Sequence, residues 1–227
     1  MSSSKDIPGP IQEQLDWSWQ QQDSEAAARG WHDAIRTRRS VRHFSTRNVS
    51  AETIRQLVAA ASTAPSGANK QPWKFVAISN PELKREIRLA AEQEEQAFYE
   101  TRASETWKQD LLPLGTDPHK PFLEEAPWLI IIFKLMKDDR GEPFSDKVYY
   151  VNESVGIATG FFLAAAHAAG LATLTHTPNP MRFLQKILNR SEHERPYMII
   201  PVGYPAEKCL VPKIRKKPLN EVMDLFE

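Results

Sequence analysis

Thr37–Phe44 reads Thr-Arg-Arg-Ser-Val-Arg-His-Phe, and Ser62–Trp73 reads Ser-Thr-Ala-Pro-Ser-Gly-Ala-Asn-Lys-Gln-Pro-Trp. In the first stretch Arg38, Arg39 and Arg42 fall within five residues, with the Ser40 hydroxyl between them. Several guanidinium forks beside a hydroxyl donor suit a phosphate better than a single carboxylate. In the second, two prolines and a glycine mark a loop, and Gly67 lets the backbone approach a flat ligand closely. An anion site beside a Gly-containing platform is the frame for the rest of the chain.

Composition narrows the partners. The 227 residues suffice for one large domain with a sizeable core. Lys plus Arg is 29 and Asp plus Glu is 29, and a net charge of zero argues against a nucleic-acid partner. Cys209 is the only cysteine, which excludes a disulfide framework and any two-cysteine metal or redox motif, and suits a reducing compartment. The N-terminal stretch is Ser-, Gln- and Asp-rich with no apolar run of a signal peptide or anchor. Residues 1–30 are expected to form a partly ordered arm, in which Leu15, Trp17 and Trp19 are the side chains able to pack.

From Trp31 onward helical and strand patterns interleave. Trp31–Arg38 is predicted as a short helix. Ser50 precedes Ala51–Ala61, a helix with Ile54, Leu57, Val58 and Ala61 on one face. Trp73–Ser79 alternates as a strand, and Asn80-Pro81 opens a charged helix over Glu82–Ala103. Pro113–Pro121 is too polar for core. Pro127–Leu135 is apolar throughout and predicts a buried central strand. Met136–Asp146 is a charged loop.

Val155–Thr175 spans 21 residues with His167 as its one ionisable group, near the length of a membrane span. Gly170 interrupts it, and Leu171–Thr175 alternates like a strand. A long buried helix, continuous with Lys147–Ser154, and then a strand is the better reading. Gly156 and Gly160 permit close helix–helix approach, which favours a dimer. Met181–Leu188 is a short helix, Tyr197–Val202 a strand, and Leu219–Phe226 a short amphipathic segment behind the basic run Lys213–Lys217. The pattern is an α/β or α+β sandwich in one domain.

Several motifs are absent: no Gly-x-Gly-x-x-Gly, no Walker-type loop and no His-Glu-x-x-His. The six histidines show no metal-ligand spacing, so no metal site is expected, and His167 reads as a satisfied interior residue. Ser66-Gly67 lacks the flanking glycine of a nucleophile elbow.

Arg-Arg-Ser-Val-Arg, then Thr-Ala-Pro-Ser-Gly-Ala with Pro-Trp following, resembles the flavin-dependent nitroreductase superfamily. The resemblance runs from about Trp31 to Glu227 and includes Pro-Val-Gly-Tyr-Pro at 201–205 and Lys-Pro-Leu at 217–219. It implies an α+β fold, a nitroreductase-like sandwich with a central, mostly antiparallel sheet flanked by helices, in an intertwined homodimer. The expected organisation is an FMN-binding domain over 31–227, with a lid at about 92–122 and a C-terminal extension at 205–227. FMN is the implied cofactor. By resemblance Arg38, Arg39, Ser40 and Arg42 bind its phosphate, and Pro65, Ser66 and Gly67 bind its ring. Thr175, Thr177 and Lys216 complete the set. Lys216 stands where relatives carry Arg, losing a planar fork, and Gln71 replaces a common Glu.

Within the superfamily the chain is similar to the deiodinase branch, and the lid carries that likeness. Glu95 and Tyr99 are four apart on a predicted helix and project from one face; Lys120 follows in the polar excursion. A carboxylate for an ammonium, an ammonium for a carboxylate and a phenol form a receptor for an amino-acid zwitterion. The resemblance implies that these three hold a halotyrosine over the flavin, that backbone donors near Ala68 hold its phenolate, and that ordering the lid excludes water. It also gives the Thr177 hydroxyl to flavin N5, where a donor favours stepwise one-electron transfer and hence reductive dehalogenation; the flavin carries the redox chemistry. The expected protein is a cytoplasmic, homodimeric, FMN-dependent halotyrosine dehalogenase, reduced by NAD(P)H directly or through a separate reductase. A broad NAD(P)H-dependent nitroreductase or quinone reductase is one alternative. A flavin or halotyrosine binding protein with poor turnover is another.

Overall fold

A computed structural model describes residues 12–15, 23–141 and 145–227. Trp17 and Trp19 of the expected arm lie outside those residues, and Leu15 is exposed. Strands β1 (Trp73–Ile78), β2 (Trp128–Leu135), β3 (Ala172–Thr173) and β4 (Glu194–Gly203) form one sheet in the order β1-β2-β4-β3. Every pairing is antiparallel. The helices are α1 (Ser24–Ile35), α2 (Ala51–Ser62), α3 (Pro81–Ala97), α4 (Glu105–Leu111), α5 (Phe122–Glu125), α6 (Val151–Ala168) and α7 (Phe183–Ile187).

The unbroken apolar run of β2 follows from its place in the middle of the sheet. Ile130 and Ile132 face a core built with Ile54, Leu57 and Ala61 of α2 and Val155, Ala158 and Phe162 of α6. Leu129, Ile131 and Phe133 face the other way, onto Ile87 and Ala91 of α3, Leu123 of α5 and Leu184 of α7. A strand covered on both faces needs apolar residues at consecutive positions rather than alternate ones. Each such side chain, fully buried, contributes about 1.5–3 kcal/mol. The α+β sandwich that the resemblance implies, an antiparallel sheet flanked by helices, is the fold observed.

Local signals set most boundaries. Ser50 Oγ accepts the Thr53 N–H at 3.0 Å and starts α2; Asn80 Oδ1 accepts the Leu83 N–H at 2.9 Å and starts α3. Other boundaries moved. α1 begins at Ser24, capped by Asp23, and so crosses the expected arm boundary at residue 30. None of its residues is buried, and the sequence pattern marked only the part from Trp31 onward as helix. α3 ends at Ala97 and passes into a π-helical turn, Phe98–Arg102. A separate helix, α4, starts on the Ser104 cap. α6 begins at Val151 rather than at Lys147, because Tyr150 is left-handed at φ 49°. The expected amphipathic tail reduces to one turn, Leu219–Glu221, whose surroundings are exposed. Among the described residues no helix is long and apolar enough to cross a membrane.

Candidate active site

Thr37–Phe44 leaves α1 as extended chain, bridged from Ser40 to Thr173 and from Phe44 to Pro205. Val41 and Phe44 turn into the core. Arg38 and Arg39 line a cavity of about 390 Å³ together with Gly170, Pro205 and Val211. Ser40 and Arg42 line a neighbouring one of about 190 Å³, with Leu114, Gly115 and Val211. Arg39 Nη2 donates to the Pro212 carbonyl, which ties the start of the tail to the cluster.

The side chains of Arg38 and Arg42 have no hydrogen bond or ion pair among the described residues. Burial lowers the Arg42 pKa, opposed by the Tyr99 phenol. A half-buried guanidinium without an acid is short of an anion. That unspent donor set fits a phosphate such as that of FMN. Lys216, in contrast, is exposed on the tail and lines neither cavity.

The loop after α2 is tied to its surroundings through Ser66 and Lys70. Ser66 Oγ accepts the Gln71 N–H at 2.9 Å. Lys70 is buried, with Nζ 2.5 Å from Asp138 Oδ2 and 2.9 Å from the Ser145 carbonyl. Arg140 and then Lys70, by hydrogen bonding, hold the Asp138 carboxyl far below the usual range. Ala68, Asn69 and Gln71 take φ near +50°, a conformation costing non-glycine residues on the order of 1 kcal/mol or more each. The gap left by Gly67 is taken by the chain itself: a Cβ there would meet Tyr150 Cδ2 at 2.8 Å. Neither cavity beside the arginines is lined by Pro65, Ser66 or Gly67.

Thr175, His176 and Thr177 follow β3, and His176 exchanges two backbone hydrogen bonds with Ile199, each 2.9 Å. Extended geometry sends alternate side chains to opposite faces. Thr175 and Thr177 are exposed, and His176 is buried.

The lid trio converges. Lys120 Nζ lies 3.3 Å from Glu95 Oε2 and 3.2 Å from Thr116 Oγ1, and donates to the Asp117 carbonyl. The Tyr99 hydroxyl donates to the Thr116 carbonyl at 3.2 Å. Burial raises the Tyr99 pKa, so the phenol keeps its proton. Glu92 anchors the far end of the lid, accepting the Lys120 N–H at 2.8 Å and pairing with Arg88 at 2.7 Å. Burial disfavours its charge, but the Lys120 N–H, His119 and Arg88 together hold its pKa below the usual value.

Arg102 was not anticipated. It donates to the Asn179 carbonyl at 2.7 Å and to the Glu94 carbonyl at 2.6 Å, joining the lid to the loop just past Thr177. It sits on the π-helical turn, which no sequence periodicity marks. His167 is held by Thr37 Oγ1 at 2.9 Å and the Ala34 carbonyl at 3.0 Å, and no group of metal-ligating side chains occurs among the described residues.

Residues 35–204 match the nitroreductase family model. An iodotyrosine deiodinase of Haliscomenobacter hydrossis is 56% identical over 189 residues, covering 83% of this chain and 85% of that one. An iodotyrosine deiodinase of Nematostella vectensis is 44% identical over 198 residues, covering 86% of this chain and 74% of that one. A crystal structure of oxidised iodotyrosine deiodinase bound to FMN and 3-iodo-L-tyrosine superposes with a TM-score of 0.72 at 32% identity, covering 87% of this chain and 98% of that one.

Proposed function

The chain belongs to the nitroreductase family, in its iodotyrosine deiodinase branch, and on that premise we propose an FMN-dependent dehalogenase of halotyrosines. The overall change is Ar–I plus two electrons and a proton, giving Ar–H and iodide. Bound FMN would supply the electrons. The observation that carries the reading is the buried Glu95–Lys120 pair with Tyr99 beside it. A carboxylate and an ammonium set at one point are the complement of an amino-acid zwitterion.

The residues have distinct tasks in this proposal. Glu95 takes the substrate ammonium, Lys120 its carboxylate, and Tyr99 a hydrogen bond at the same end. The Ala68 backbone orients the phenolate. Arg38, Arg39, Ser40 and Arg42 would hold the cofactor phosphate, Pro65, Ser66 and Gly67 its ring, with Thr175 and Thr177 beside it. The Thr177 hydroxyl would be the donor toward flavin N5. Lys216 reaches the site only when the tail folds over it. A general nitroreductase has no use for a buried zwitterion receptor, which makes that reading the weaker one.

Two features support a homodimer. Ile157 and Phe161 on α6 are 42% and 43% exposed, with Gly160 open between them. In the tail Leu219, Val222, Leu225 and Phe226 are all more than 60% exposed. Among the described residues nothing covers either the stripe or the tail, and a second copy would cover both. The separation of the arginine cavities from Pro65–Gly67 fits a cofactor shared between copies. The domain spans 31–227 in this reading, with the lid at 92–122 and the extension at 205–227. Cys209, a free thiol, suits the reducing cytoplasm, where NAD(P)H is the electron source, directly or through a reductase.

The test is a titration of the oxidised, FMN-loaded chain with 3-iodotyrosine and with 2-iodophenol, followed by flavin fluorescence. Tight quenching by the amino acid alone is expected; equal, weak quenching by both would contradict the zwitterion receptor.

A further inference from the structure

Among the described residues one buried side-chain polar atom has no hydrogen-bond partner, Nε2 of His176. The residue is 9% exposed, and its ring meets Phe122 edge-on at 5.6 Å. Its backbone is locked by the two hydrogen bonds to Ile199. A bare buried polar atom costs about 1–3 kcal/mol, and each one in a native fold calls for an explanation.

The charges acting on the ring are cationic. Burial first, then Lys120 and Arg42, push the His176 pKa down to about 3, so the imidazole is neutral. A positive surrounding favours the tautomer that turns a lone pair, not an N–H, toward it. With the lone pair on Nε2, that atom can accept a hydrogen bond from a cationic donor.

Lys120 is one of the two cations whose charge acts on the ring, and its segment is the one packed against it. Phe122, two residues on, already touches the ring, and the Lys120 backbone is pinned to Glu92. Only the lysine side chain is left to move. In the closed lid its ammonium is occupied by Glu95, Thr116 and the Asp117 carbonyl. A substrate ammonium that takes Glu95 removes one of those acceptors and brings a second positive charge close by. The lysine must then turn away from the newcomer while keeping its own charge solvated.

We propose that His176 is a positioning residue for zwitterion capture: as the substrate ammonium takes over Glu95, Lys120 turns one N–H onto His176 Nε2 and presents another to the substrate carboxylate. The inference rests on the halotyrosine reading of the lid and adds a residue outside the lid, the arginine cluster and the threonine pair. Without the acceptor, the displaced ammonium faces the apolar edge of Phe122.

The experiment uses the FMN-loaded chain carrying His176→Phe, which keeps a ring, or His176→Asn, which keeps an acceptor. Kd is measured by flavin fluorescence for 3-iodotyrosine, for its desamino analogue, which lacks the ammonium, and for 2-iodophenol. His176→Phe should weaken 3-iodotyrosine about tenfold and leave the other two within about twofold; His176→Asn should recover most of the loss. Equal weakening of all three ligands would mean a packing role only and overturn the proposal. Unchanged binding of 3-iodotyrosine would overturn it too, while leaving the halotyrosine reading intact. If the wild-type chain itself fails to prefer 3-iodotyrosine, both fall together.

Discussion

Lys120 Nζ lies 3.3 Å from Glu95 Oε2, with the two side chains 3% and 14% exposed. The groups assigned to opposite ends of a zwitterion therefore satisfy each other when nothing lies between them. A ligand with both charges can replace both halves at once. A ligand with one charge leaves a buried ion without its counterpart, which is strongly unfavourable. In the proposed function this pair would select for amino acids before the aromatic ring is read.

Breaking the pair should separate binding from stability. Glu95→Gln or Lys120→Met should each raise the Kd for 3-iodotyrosine by roughly 10- to 100-fold, the equivalent of about 1.5–3 kcal/mol for a charge-assisted hydrogen bond. Both should retain FMN. Each should also lower the melting temperature, because the remaining partner stays buried and unpaired. The double variant should regain stability but not binding, as calorimetry alongside fluorescence titration would reveal.

Arg102→Ala removes the link from the lid to the Asn179 carbonyl. The expected result is faster proteolysis within 103–120 and a Kd for 3-iodotyrosine about three- to tenfold higher, with FMN content unchanged. A lid equally resistant to protease in the variant would show that the link is not what holds it.

Thr177→Ala should slow dehalogenation at least tenfold and spare nitro reduction by the same preparation. The side chain is exposed, so stability should stay within about 0.5 kcal/mol. Parallel loss of both activities would remove the special role of the hydroxyl.

His176 also makes a pH prediction. Its folded pKa is depressed, so the unfolded chain binds a proton at this residue from about pH 6.5 downward while the folded chain does not. Stability is therefore lost as pH falls from about 6.5 toward 3. Urea midpoints at pH 7 and pH 5 should differ, and the difference should shrink in His176→Phe. An unchanged difference would assign the acid limb to other groups.

Phe161→Asp places a charge on the exposed stripe of α6. Sedimentation should report a dimer for the wild type and a monomer for the variant, which should also lose FMN. A monomeric variant that keeps full FMN would contradict a cofactor shared between copies.

Much of the fold was legible because its signals are local. β2 announced itself by consecutive apolar residues, and Ser50 and Asn80 by cap chemistry that the structure repeats. α1 and α4 bury no residue, and only the Trp31–Ile35 end of α1 was read as helix from its sequence. The expected amphipathic tail is only one turn long, and its apolar residues are largely exposed among the described residues. At the site, Lys120 Nζ lies against Glu95, and Tyr99 bonds to the Thr116 carbonyl beside them. His176 was passed over because one strand residue between two threonines carries no motif. Its interest lies in an unpaired atom that only three dimensions reveal.

The most direct measurement is product formation by the reduced, FMN-loaded chain without oxygen, given 3-iodotyrosine or 2-iodophenol. One tyrosine and one iodide per electron pair, formed much faster than phenol from 2-iodophenol, is the expected result. No iodide from either, or equal rates from both, would contradict a halotyrosine dehalogenase.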